Sequence, residues 1–346
     1  MLGLHRKQGL CAALALCAML LSVTFSGCGF KRTEGPVWQY CPIGAQFPYG
    51  NRSDTLSTIS PIVEETVGAI FLDNRHDVFI EDQISVNNTS YEIPQVLQDA
   101  LLDTMAEYKF ETSFYVIDLE TRASFAYNPQ KYFECASTIK APYALYLARQ
   151  LEAGVISLDD ILEYKEHHYA TGSGSTQFSE YGTLFTLKAM LYRLLYNSDN
   201  VAYYMLSEHA GYDGFNEMVA ALGWKTSISK RDHWCDITPQ DLANVWLEIY
   251  DYRDACDEGR LLWTYLTTNL YNEFQVAMPE YTGSAHKSGW GYNGYHEAGI
   301  VFGRRTYLCI VMTETGNKNN CLHRTIRNLD NVINDYDIWL KNQGLN

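Results

Sequence analysis

Residues 185–206 read FTLKAMLYRLLYNSDNVAYYML, and how this stretch folds decides the architecture. Thr186 stands at an N-cap position, where a hydroxyl accepts a free first-turn N–H. Leu187, Met190, Leu191 and Leu194 then recur at i, i+3, i+4 and i+7, the stripe of an amphipathic helix. That helix stops at Asn197, Ser198, Asp199 and Asn200, residue types that bond nearby backbone and favour turns. Helical text resumes over 201–223 and again over 239–268. The middle of the chain is therefore a helical block hinged at a short polar connection.

The flanks on either side of this block read differently. Upstream, Ser113–Leu119 and Ala123–Tyr127 read as strands joined by a polar turn at Glu120, Thr121 and Arg122. Before them, Pro94 suits a first helical turn, and Val96, Leu97, Leu101, Leu102 and Met105 form a helical stripe. After them, a helix runs from Ser137 to a stop at Gly154, with Ile139, Tyr143, Leu147 and Leu151 along one side. Downstream, strands are expected at Ser284–Trp290, Glu297–Phe302 and Thr306–Thr313. A closing helix follows, carrying Ile326, Leu329, Ile333, Tyr336 and Leu340. Two strands before the helical block and three after it imply an α+β sandwich: one five-stranded sheet assembled from distant segments, flanked by helices, with a mostly helical subdomain inserted.

The chain has 346 residues, 26 basic and 41 acidic side chains and 47% apolar residues, enough to bury one large core. Residues 1–27 read as an export signal: His5, Arg6 and Lys7 precede an apolar stretch from Leu10 to about Phe25, which ends on Phe25, Ser26, Gly27 and Cys28. That ending resembles a lipoprotein cleavage box, with Cys28 the lipidated first residue of the mature chain at the outer face of the cell membrane. Loss of Arg6 and Lys7 leaves a net charge of about −17, which argues against nucleic acid as a partner. Residues 28–55, rich in Gly and Pro, read as a tether, and 56–92 as an extension without an assigned role, with a possible strand at Val78–Ile84. The domain proper is expected over 93–343, as a monomer. Six cysteines remain outside the signal and anchor, structural or free thiols. With neither CxxC nor HExxH spacing, a metal is not expected, and without a glycine-rich phosphate loop neither is a nucleotide cofactor.

Three short motifs carry chemistry. Ser137 and Lys140 stand at i and i+3 on one helical face, where an amine can take the proton that keeps a hydroxyl from attacking. The same SxxK spacing recurs at Ser227/Lys230 and Ser284/Lys287, so spacing alone does not choose among them. Ser198, Asp199, Asn200 and Lys287, Ser288, Gly289 each occur once, 61 residues after Ser137 and a further 89 after Ser198. In order, spacing and context these motifs resemble the class A β-lactamase and penicillin-interacting serine hydrolase superfamily. The likeness takes in TGSGS at 171–175, the 185–206 stretch and DITPxDLA at 236–243, covers about residues 93–343, and selects Ser137 among the three candidates.

The resemblance implies an antiparallel sheet and an acyl-enzyme on Ser137, with Lys140 as base. Ser198 relays a proton to the departing nitrogen, and Asn200 binds the substrate amide. Lys287 and Ser288 hold a substrate carboxylate, and the backbone N–H groups of Ser137 and Trp290 hold the oxyanion, with Gly289 permitting close approach. The substrate is then a β-lactam or a peptide-like amide or ester of the cell wall. One part of the family pattern is missing. The interval from Gly223 to Asp236 reads GWKTSISKRDHWCD, without the ExxLN glutamate that activates the deacylating water, and only Asp232 or His233 offers a replacement. Slow deacylation is therefore expected. A DD-peptidase-like enzyme and a non-turning-over penicillin sensor are the alternatives.

Overall fold

The computed structural model describes residues 83–86, 89–92, 96–97, 99–101, 111–278, 280–292, 294–316 and 320–345, all within the compact unit Gly50–Asn346. The expected export signal, the Cys28 anchor, the tether and most of the 56–92 extension lie outside these residues. In chain order the strands are β1 (Gln83–Val86), β2 (Thr89–Glu92), β3 (Thr112–Asp118), β4 (Ser124–Tyr127), β5 (Phe133–Glu134), β6 (Ile161–Glu163), β7 (Leu184–Thr186), β8 (Asp236–Ile237), β9 (Ser284–Trp290), β10 (Tyr295–Phe302) and β11 (Thr306–Thr313). The helices whose bounds lie among the described residues are α1 (Lys140–Glu152), α2 (Leu187–Tyr196), α3 (Asn200–Ala210), α4 (Asp213–Ala221), α5 (Pro239–Tyr252), α6 (Asp257–Thr267), α7 (Glu273–Ala277) and α8 (Cys321–Gln343).

Five strands form one antiparallel sheet in the order β4-β3-β11-β10-β9, so the two early strands pair with the three late ones as expected. Period-two alternation explains why both faces are apolar. From β3, Tyr115 and Ile117 join one core with α1, α5 and the helical subdomain. Phe114 and Val116 join the other, with Leu322, Ile326, Leu329 and Ile333 of α8. Each fully buried aliphatic side chain in such a core stabilises the fold by about 1.5–3 kcal/mol. Leu97 and Leu101 are buried in the α8 side core, whereas Val96, also assigned to that stripe, is exposed. The amphipathic stripe is therefore narrower than expected.

Local capping follows the sequence. The Thr186 hydroxyl accepts the Ala189 N–H at 3.2 Å. Thr238 and Asp241 form a reciprocal capping box that starts α5 at Pro239. One boundary differs: the expected helix from Ser137 opens as a 3-10 turn, Ala136–Ile139, and becomes α-helical only at Lys140. Ser137 is thus not a helix cap. In a 3-10 turn side chains at i and i+3 eclipse, which aligns Ser137 with Lys140.

Candidate active site

Lys140 is the hub of the site. It is fully buried at the start of α1, and its Nζ has four oxygen neighbours: Ser198 O and Asn200 Oδ1, both at 2.6 Å, and Ser137 Oγ and Ser198 Oγ, both at 3.1 Å. The two carbonyl oxygens only accept, so they take two N–H bonds. The Asn200 amide is oriented by its own Nδ2, which donates to Thr171 O at 2.8 Å and so turns Oδ1 to the lysine. A neutral amine then has one lone pair left, facing the Ser137 and Ser198 hydroxyls at equal distance. Burial, then the Lys287 cation, hold the Lys140 pKa well below the ordinary lysine value, against the pull of Asp199 and Cys135. Geometry and charge agree on a lysine that can accept the Ser137 proton.

The turn at 198–200 is built to present these atoms. Ser198 has a positive φ of 56°, and Asp199 caps α3, accepting from Ala202 N at 3.0 Å. Asp199 also accepts from Thr176 N at 2.9 Å and Thr176 Oγ1 at 2.7 Å. This explains the glycines of 171–175. A Cβ on Gly174, at φ +97°, would lie 2.2 Å from Asp199 Cγ, and one on Gly172 would lie 2.8 Å from Asn200 Nδ2. The loop can cross this turn only because those positions lack side chains.

On the other side, β9 is the edge strand of the sheet and runs along the Ser137 turn. A Cβ on Gly289 would meet Thr138 N at 2.8 Å and Ser137 N at 2.9 Å, so glycine lets strand and turn approach backbone to backbone. Trp290 follows on the same edge, 44% exposed, its ring edge-on to Tyr271 at 5.0 Å. Lys287 is buried, donates to Ser288 O at 2.8 Å, and has its pKa lowered to about 8 by burial, with Glu297 opposing. Ser288 is placed differently from its expected role: its hydroxyl lies 2.9 Å from Tyr271 O and 2.7 Å from Glu297 Oε2, inside the protein.

The interval 223–236 returns to the site through Trp234, the neighbour of the two residues named as a replacement base. Asp232 is exposed, and its Oδ1 accepts Trp234 N. His233 stacks on Tyr204 at 4.0 Å, and its Nδ1 lies 3.3 Å from Tyr212 OH. The residue that reaches the hub is Trp234, whose ring centre is 5.6 Å from Lys140 Nζ. An indole preceding β8 was the available signal. Glu297, buried in the otherwise largely apolar β10, was a second.

Among the described residues His167, His168 and Glu208 bring three metal-type donors within 4.8 Å of one another. His168 Nδ1 accepts the Lys165 N–H at 3.1 Å, so the ring proton sits on Nε2 and no lone pair is left there for a metal. Glu208 also pairs with Lys165 at 3.5 Å. The cluster fits an ion-pair group, not a metal centre.

A family model described as the beta-lactamase enzyme family matches residues 95–336. The chain belongs to this family. Solved structures with the same fold include PBP-A (18% identity, 70% of this chain and 97% of that one, TM-score 0.63). Another, from Sphaerobacter thermophilus DSM 20745, is a β-lactamase (20% identity, 70% and 96%, TM-score 0.60). A third is the extended-spectrum β-lactamase TLA-3 (16% identity, 70% and 98%, TM-score 0.62). PBP-A has also been solved as a mutant acyl-enzyme complex with penicillin G. Comparison with curated proteins gave no match. The likeness in fold accords with the α+β sandwich and its single five-stranded antiparallel sheet.

Proposed function

We propose that Ser137 is a nucleophile that β-lactams or peptide-like amides and esters acylate, and that the acyl group leaves slowly. The observation that carries this is the Lys140 hub: a buried amine with two carbonyl acceptors and its nitrogen 3.1 Å from Ser137 Oγ. Ser137 gives its proton to Lys140 as Oγ attacks the carbonyl, and Ser198 Oγ, equally distant from Nζ, passes a proton to the leaving nitrogen. Asn200 orients Lys140 as well as any substrate amide. Backbone N–H groups of Ser137 and Trp290 serve the oxyanion. Trp234 supports slow release, since an indole beside Lys140 supplies no base for a water.

The export signal and a lipid anchor at Cys28 belong to the same reading and rest on residues 1–28. No described helix is long and apolar enough to cross a membrane. Peptide mapping after treatment with penicillin tests the central step. The expected result is an adduct on the peptide containing Ser137; an adduct elsewhere, or an equal adduct on Ser137→Ala, contradicts it. A peptide-release assay then separates a DD-peptidase-like enzyme from a sensor.

A further inference from the structure

A second buried polar group lies behind β9. Glu297 on β10 stands opposite Ser288 in register and is fully buried. Its Oε2 lies 2.7 Å from Ser288 Oγ and accepts the Glu273 N–H at 3.0 Å, and its Oε1 meets His286 Nδ1 at 3.0 Å. Ser288 Oγ is also 2.9 Å from Tyr271 O, which only accepts. A hydroxyl has one proton, and two internal oxygens already compete for it. A substrate carboxylate would be a third acceptor with no proton to receive. Glu297 is also the carboxyl group that opposes the effect of burial on Lys287, the one lysine that β9 offers to the site. An incoming carboxylate would therefore meet a cation already offset by a carboxyl group one strand away.

We propose that Glu297 is a specificity-determining residue that, by engaging Ser288 and offsetting Lys287, turns Ser137 away from substrates with a carboxylate beside the scissile bond and toward neutral amides and esters. This inference rests on the acyl-enzyme reading above. Glu297 acts through Ser288 and Lys287, so it is a positioning residue, and its signature is a ratio of rates.

The test measures the rate of adduct formation at Ser137 with a penicillin as free acid, the same penicillin as its methyl ester, and a neutral fluorophosphonate. Wild type is expected to react with the ester at least as fast as with the acid, after correction for ring reactivity. Glu297→Gln keeps the shape and removes the charge. It is expected to move the acid-to-ester ratio toward the acid by roughly tenfold. Glu297→Asp, which keeps the charge, holds the wild-type ratio. A wild type that strongly prefers the acid, or a ratio unchanged in Glu297→Gln, overturns the inference. Should Glu297→Gln fail to fold, the wild-type ratio decides alone. Labelling of Ser137 by the fluorophosphonate shows the nucleophile independently of the carboxylate. A chain that none of the three probes labels at Ser137 overturns the acyl-enzyme reading, and this inference with it.

Discussion

The two sides of Ser137 are built by different means. On the side of α1 and the 198–200 turn, each polar atom near Lys140 has a partner at 2.6–3.1 Å, and two glycines are placed so that a loop can cover the turn. On the side of residues 223–236 the approach to Lys140 is aromatic: Trp234 beside the amine, Tyr203 packed on Trp234, Tyr204 stacked on His233. A serine is activated by desolvation and hydrogen bonding, and the first side supplies both. Release of an acyl group needs a base for water, and on the function proposed above the rings of the second side offer none.

That contrast can be broken from either side. Lys140→Met removes the base and is expected to slow adduct formation about 10³-fold, measured as adduct mass against time. An undiminished rate would mean that another group takes the proton. Gly174→Ala attacks the cover of the turn. The new Cβ meets Asp199 and the left-handed backbone resists it, so thermal unfolding should show a loss of about 3 kcal/mol, with acylation falling alongside. Trp234→Glu puts a carboxylate beside Lys140, and adduct decay after removal of free penicillin should quicken about tenfold or more.

The smallest effect concerns pH. Lys140 must be neutral to act, so acylation falls as pH drops through its lowered pKa. Lys287 is the second cause of that lowering. Lys287→Met removes the cation, the Lys140 pKa rises, and the acid limb of the acylation profile moves to higher pH. A limb that stays in place would show that burial alone sets the lysine.

The fold was legible because its signals are local. The strands at 112–118 and 306–313 are short apolar runs, buried along nearly their whole length as a sheet covered on both faces requires, and Thr186 caps where expected. Ser137, Lys140, Ser198 and Asn200 were legible as motifs, and the structure gathers the other three around the Lys140 nitrogen. What sequence hid was set by long-range pairing. Ser288 and Glu297 are nine residues apart, and only the β9–β10 register brings Glu297 to the hydroxyl. Trp234 lies nearly a hundred residues from Lys140, and the β5–β8 pairing carries the chain that holds it back to the nucleophile. The 3-10 opening of α1 has no mark in the sequence that sets it apart from an ordinary helix start.

The most direct test of the account is a pulse and chase by intact-protein mass spectrometry: brief exposure of wild type and Ser137→Ala to penicillin, removal of the free drug, then mass against time. One adduct is expected on wild type, persisting through the chase, and none on Ser137→Ala. A wild type that carries no adduct, does not consume penicillin and is not labelled at Ser137 by the penicillin methyl ester or the fluorophosphonate would contradict the claim that Ser137 is a nucleophile. An adduct that vanishes as fast as it forms would contradict the claim that the aromatic side withholds a base.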